Sequence, residues 1–214
     1  MISAEEFYQL IGIENFQRDD LPDFLAYRVR AAAALAYCAG LCFPEVLALR
    51  RSQWCPNGLP KVVIDGFRVG DGRREHQALP RTIPVSPAAR CIVGQYLATL
   101  PEPPAPACRF FNLPERPALK GEVRKAISRA GMETSIKPGD FRASFEAFIK
   151  DRNPGSDLAF YLVGARPTAG MMYRFGTRQP PMKDLIQLLK KSHQVYGDGD
   201  ERLRPRRRRP RPAR

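Results

Sequence analysis

The chain has 214 residues, with 35 Lys and Arg against 22 Asp and Glu, a formal net charge of +13. This length allows one domain with a full core or two small ones. The excess of positive charge points to a polyanionic partner: DNA, RNA or an acidic membrane surface.

The elements are legible in chain order. Ser3-Ala4-Glu5-Glu6 has the spacing of a capping box and predicts a short helix to about Leu10. Asp19-Asp20-Leu21-Pro22 introduces a second helix. Its apolar positions Phe24, Leu25, Val29, Ala32, Ala33, Leu35 and Ala36 cover a broad face, so it should be largely buried, and Gly40 ends it. Pro44-Glu45 starts a third helix, to Leu49. The period then shortens. Lys61–Asp65 reads as a strand, with Phe67–Val69 as its continuation, and Arg81–Val85 as another, with Asp71-Gly72 as a turn between them. Ser86-Pro87 is an N-cap followed by proline at the first helical position, opening a helix to about Leu100.

Residues 101–107 (PEPPAPA) form a stiff, extended connector. Helices are expected near 119–130, 140–150, 156–163 and 168–174, punctuated by Gly131, Pro138, Pro154-Gly155 and Pro167. Met182–His193 is a last amphipathic helix, with Leu185, Ile186, Leu188 and Leu189 on one side and Lys183, Lys190 and Lys191 on the other. Beyond Tyr196 the composition turns to Gly, Asp, Pro and Arg and predicts a disordered basic tail. Residues 201–214 hold eight Arg and one Glu, so +7 of the total charge lies there and +6 on the other 200 residues. The fold class read from this pattern is mainly α with a small antiparallel β-sheet. The division is 1–178 as one domain, 179–196 as a C-terminal helix, and 197–214 as the tail.

Five cysteines, Cys38, Cys42, Cys55, Cys91 and Cys108, are odd in number and lack the close spacing of a zinc or redox motif, so reduced thiols are expected. The two histidines, His76 and His193, stand in unrelated contexts. Neither a metal nor a cofactor is expected. No stretch approaches the 18 or so apolar residues of a membrane span, and the acidic start MISAEEF has no apolar signal core. The expectation is a soluble protein of the cytoplasm (bacterial cytoplasm or nucleoid) with no membrane partner.

Four segments, in order, resemble the catalytic domain of the tyrosine recombinases, the phage-integrase family. Residues 36–54, AYCAGLCFPEVLALRRSQW, are similar to the family's first box, Y-x-T-G-L-R-x-x-E-L-L-A-L-R-W-x-D. Tyr37, Gly40, Leu41, Glu45, Leu47, Ala48, Leu49 and Arg50 match in register. Arg81-Thr82-Ile83-Pro84-Val85 resembles the segment that closes the family's β-hairpin. Residues 139–145, GDFRASF, resemble the second box, H-D-L-R-H-T-F, keeping Asp140, Arg142 and Phe145. Residues 162–173, LVGARPTAGMMY, resemble the third box, L-G-H with a tyrosine about nine residues on. The resemblance covers residues 3–178 and does not extend over the family's usual N-terminal DNA-clamping domain.

The resemblance implies a chemistry and shows where this chain departs from it. In the family a tyrosine attacks a DNA phosphodiester and forms a 3′-phosphotyrosyl link. Two arginines stabilise the extra negative charge of the transition state. A hairpin lysine protonates the leaving oxygen, and histidines assist proton transfer. Here Tyr173 stands at the nucleophile position and Arg142 at the second arginine. Cys42 occupies the first arginine position, Gly139 the second-box histidine, and Ala165 (or Gly164) the third-box histidine. Gly70–Pro80 contains Arg73 and Arg74 but no lysine, and a guanidinium is a poor general acid.

Each residue also has a structural alternative. Arg142 is a phosphate ligand or a salt-bridging arginine. Tyr173 is a nucleophile or a core residue with a satisfied hydroxyl. Glu45 supports the fold through a nearby arginine, and Cys42 is a small unreactive side chain. The expected partner is double-stranded DNA, met by Arg50, Arg51, Arg73, Arg74, Arg81, Lys137, Arg142, Arg166 and Arg174. The tail arginines Arg206, Arg207, Arg208 and Arg209 would join them. The function expected is that of a catalytically inactive DNA-binding protein, an accessory or regulatory factor in DNA recombination, integration or mobile-element maintenance. The alternative is an active, divergent recombinase acting through Tyr173, with partial rescue by Arg166, Arg174, Arg50 or Arg51. A third reading has the Met182–His193 helix docking in cis, or in trans on a second copy or a partner recombinase.

Overall fold

In a computed structural model, which describes residues 1–18, 22–69, 76–78, 80–102, 104–111, 116–133, 135–164 and 179–196, the chain begins with the capped helix its sequence predicts. Ser3 Oγ accepts from the Glu6 N–H, and the Glu6 carboxylate takes the Ser3 N–H at 2.7 Å, opening α1 (Ala4–Leu10). Phe7 stacks on Tyr37 of α2 (Asp23–Cys38) with ring centroids 4.2 Å apart. From Ala31 to Cys38 every residue of α2 is buried, so this helix is the axis of the core. Its run of four alanines, Ala31–Ala34, presents almost no side-chain bulk. The neighbouring helices α4 (Pro87–Ala98) and α6 (Asp140–Arg152) pack directly against it.

The polypeptide leaves α2 through Gly40 at φ +61°, a backbone conformation that disfavours any side chain. A Cβ there would also lie 2.2 Å from the Phe145 ring. Helix α3 (Phe43–Ala48) follows. The sheet comes next, with strand order β1 (Trp54–Cys55), β2 (Lys61–Ile64) and β5 (Arg81–Pro84), all antiparallel. Val62 pairs with Ile83 and Ile64 with Arg81. A second ladder joins β3 (Phe67–Val69) to β4 (His76–Ala78). The short strands β1 and β4 are additions to the sequence reading: two or three residues carry too little alternation to be seen as strands.

Strand β2 alternates buried and half-buried residues, whereas all four residues of β5 are buried. The outer edge of β5 is covered, and the Thr82 N–H is satisfied by the Tyr161 hydroxyl at 2.7 Å. Tyr161 belongs to α7 (Asp157–Leu162), which follows α5 (Arg116–Arg129) and α6. The turn at Asp71-Gly72, the helix expected near 168–174 and the tail beyond Tyr196 lie outside the described residues.

The last described helix, α8 (Met182–Ser192), packs on its own chain against α6, α7 and β5, burying Leu185, Leu188 and Leu189. Two residues past α8 secure it. The Tyr196 hydroxyl lies 2.6 Å from the Pro84 carbonyl and 2.9 Å from that of Cys38. His193, 1% exposed, sits among the rings of Tyr37, Phe145, Phe148 and Tyr196. Burial pushes its imidazole down to about 4, so it is neutral in the folded chain near pH 7.

Candidate functional site

Three of the described residues at positions that resemble recombinase catalytic or hairpin positions, Cys42, Arg81 and Arg142, converge on Glu45. Cys42 is the N-cap of α3, and Glu45, three residues on, reaches back to the Cys42 N–H at 2.8 Å. This places the carboxylate under the start of the helix, 1% exposed. Arg81 enters from β5 and grips it with both ends of its guanidinium, Nη1 to Oε1 at 2.7 Å and Nη2 to Oε2 at 3.1 Å. Arg142 enters from α6 and places Nη1 3.0 Å from Oε2. Burial alone would raise the Glu45 pKa. The Arg81 hydrogen bonds and charge, the Arg142 charge and the Cys42 N–H outweigh it and hold the carboxyl below its ordinary value.

Arg142 has a use for each of its nitrogens. Nε donates to Glu146 at 2.7 Å, Nη1 to Glu45, and Nη2 to the Val163 carbonyl at 2.7 Å. The side chain is 22% exposed. Burial works against its charge, and Glu45 and Glu146 more than restore it, so its pKa stands above the ordinary value. Two guanidinium groups and two carboxylates thus form one knot, with Lys150 at its edge 3.4 Å from Glu146. It ties α3, β5, α6 and the end of α7 together.

Gly164, at φ +67°, makes room for the knot. A Cβ at this position would lie 2.9 Å from Arg81 Nη1. Beside the knot, burial and then the Glu45 charge push the Cys42 thiol up to about 12, against a smaller opposing pull from Arg142. At that value the thiol is a neutral group at physiological pH.

One expected DNA contact needs correction. Arg81 is 2% exposed, because β5 is covered on every side and its side chain turns inward to the nearest carboxylate. It is a structural ion-pair partner and cannot reach a phosphate from this position. Gly139 is the exposed N-cap of α6, one turn from Arg142. Lys137 is exposed, with its backbone N–H held by Asp140 at 2.7 Å. Arg50 and Arg51 lie beyond the other end of α3, and Arg51 Nη1 donates to the Trp54 carbonyl at 3.2 Å. Tyr173, Ala165, Arg166, Arg174, Arg73, Arg74 and Arg206 to Arg209 lie outside the described residues.

Sequence reading missed Glu146, although its spacing of four from Arg142 on a helix is a pairing signal. It also missed the Val163 carbonyl and the Tyr161 hydroxyl, for which no local signal exists. Among the described residues no cluster of His, Cys, Asp and Glu could hold a metal ion, and no helix is long and apolar enough to cross a membrane.

No family model matches the chain. It is 35% identical over 147 residues to "Tyrosine recombinase XerC" of Methylobacterium sp. (strain 4-46), an alignment covering 63% of this chain and 41% of that protein. Among solved structures it is similar to XerH site-specific recombinase bound to difH substrate in a pre-cleavage complex (TM-score 0.52, 15% identity, 77% of this chain and 47% of that one). It is also similar to XerA recombinase (0.54, 14%, 90% and 65%) and to the Tn1549 transposon integrase in complex with circular intermediate DNA (0.56, 10%, 87% and 62%). The chain spans less than two thirds of the length of each of these proteins. Its sequence is thus similar to that of a tyrosine recombinase, and its fold is that of the tyrosine recombinases and integrases.

Proposed function

We propose that this chain binds double-stranded DNA on a recombinase scaffold without cutting it, as an accessory or regulatory factor in recombination, integration or mobile-element maintenance. The observation that carries this reading is the state of the two arginine positions. The first holds the neutral thiol of Cys42, and the second, Arg142, is spent on Glu45, Glu146 and a backbone carbonyl. A phosphoryl transition state needs several preorganised donors aimed at it. Loss of a single one typically costs about 10²–10³ in rate. The knot offers a phosphate little beyond the outward edge of one guanidinium whose charge is already balanced.

DNA affinity then comes from sequence-independent phosphate contacts by exposed cations such as Arg50 and Lys137 and by the Arg-rich residues 201–214. The relatives bound to DNA in solved structures favour the same partner. In this chain α8 already occupies a seat on α6, α7 and β5, so assembly through that helix would require it to leave its own core.

The test is a duplex-binding titration at several salt concentrations, beside incubation with a nicked duplex that traps a phosphotyrosyl adduct. Salt-sensitive binding with no covalent adduct is the expected result. An adduct that vanishes in Tyr173→Phe would establish the active, divergent recombinase instead. Absence of duplex binding at low salt would refute both.

A further inference from the structure

Two arginines face each other on an exposed stretch of backbone. Arg50, just past α3, forms an isolated antiparallel bridge with Arg109. The flanking backbone bonds run from the Phe110 N–H to the Leu49 carbonyl at 2.7 Å and from the Arg51 N–H to the Cys108 carbonyl at 3.0 Å. This pattern makes Arg50 and Arg109 a non-hydrogen-bonded pair, the kind in which facing side chains stand closest. Both side chains are exposed. Like charges directly opposite destabilise a strand pair unless a counter-charge lies between them.

Two carboxylates are near and neither fills that role. Asp65 accepts from Gln53 Nε2 at 2.8 Å. Glu102 lines a groove of about 490 Å³ that Arg109 shares with Arg28 and Phe24. Among the described residues no acid forms an ion pair with Arg50 or Arg109.

We propose that Arg50 and Arg109 form a clip for one phosphate of a nucleic-acid backbone, separate from the Arg142 knot. The clip stands beyond the far end of α3, whose six residues put roughly 9 Å of helix between it and Cys42. The chemistry fits. Planar guanidinium forks take phosphate oxygens in pairs, and a phosphate between them supplies the missing counter-charge. The backbone bridge holds the two arms at a set spacing, so little is lost in bringing them together. The net charge of +13 makes a polyanion the favoured source of that phosphate. Sequence reading singled out Arg50 but not Arg109, because the pairing joins residues 59 positions apart.

The inference rests on the DNA-binding reading, and the experiment separates the two. The full chain, Arg50→Ala, Arg109→Ala and the double variant are titrated with duplex at several salt concentrations. The double variant should bind several-fold more weakly, and its log–log salt slope should fall by about 0.9, the value for one lost phosphate contact. All three variants should melt no lower than the parent chain, since each removes repulsion. Unchanged affinity and slope in the double variant would overturn the clip while leaving DNA binding intact. If the parent chain binds no duplex, the function reading fails and inorganic phosphate becomes the probe. A melting temperature raised by phosphate in the parent and not in the double variant would keep the clip, and no rise in either would overturn it. Binding of a polyglutamate peptide that the double variant loses, with duplex binding unaltered, would assign the pair to an acidic protein and overturn the phosphate reading.

Discussion

Two pairs of arginines among the described residues are brought together, and the two meetings differ in what lies between them. At the start of α3, Arg81 and Arg142 converge on the buried carboxylate of Glu45, and Glu146 completes the charge balance. Past the other end of α3, Arg50 and Arg109 face each other in the open, and no acid among the described residues pairs with either. The side-chain chemistry is the same, and the consequence is opposite. Buried guanidinium must be paired to be tolerated, and once paired it is structure. Exposed guanidinium tolerates a missing partner because water screens it, and it remains available to a ligand.

The sharpest way to break this contrast is to remove the counter-charge of the buried set. Glu45→Ala removes the carboxylate that Arg81 and Arg142 share, and is expected to cost about 3–5 kcal/mol of stability in urea unfolding. A loss under about 1 kcal/mol would show that water reaches the knot. The same group sets an acid limit. Its folded pKa lies below the ordinary carboxylate value, so its contribution is present above about pH 4.3 and is lost as pH falls through the lower folded value.

His193 extends the comparison to another buried ionisable group. Its folded pKa of about 4 lies below the ordinary 6.5, so the unfolded chain takes up the proton first. Stability is therefore complete above about pH 6.5 and declines as pH falls toward 4, by roughly 3 kcal/mol in total. His193→Phe should flatten the decline between pH 6.5 and 4 measured by thermal unfolding, and an unchanged slope would contradict the assignment. A smaller effect is expected from Gly164→Ala, about 1–3 kcal/mol, since the new methyl meets Arg81 at a left-handed backbone position. Smallest of all, Arg50→Ala or Arg109→Ala alone should change stability by no more than about 0.5 kcal/mol while weakening DNA binding. A large destabilisation would move the outer pair into the class of the inner one.

The architecture was legible because its signals are local. Ser3 with Glu6, Ser86 with Pro87, and the broad apolar face of α2 each act within a few residues, and the structure places helices where they predict. Helix α5 begins at Arg116, ahead of the 119 expected, and α6 ends at Arg152, past the 150 expected, where charged end residues carry no periodic mark. The candidate site was legible in part. Glu45 was recognised as a support for a nearby arginine, but that it serves two was not. Arg81 was assigned to DNA because its charge is visible in the sequence and its burial is not.

The sequence by itself determined the long helices and the strands β2 and β5, that the chain resembles a recombinase catalytic domain, and that the first arginine and the second-box histidine of that resemblance stand as Cys42 and Gly139. These follow from residue identity and short-range periodicity. Only the tertiary structure decided which arginines are struts and which are free. That choice depends on whether a carboxylate 36 or 97 positions away arrives beside the guanidinium and whether water is excluded when it does. Solvent exposure and long-range charge pairing are properties of the packed chain, and no stretch of the sequence carries them alone.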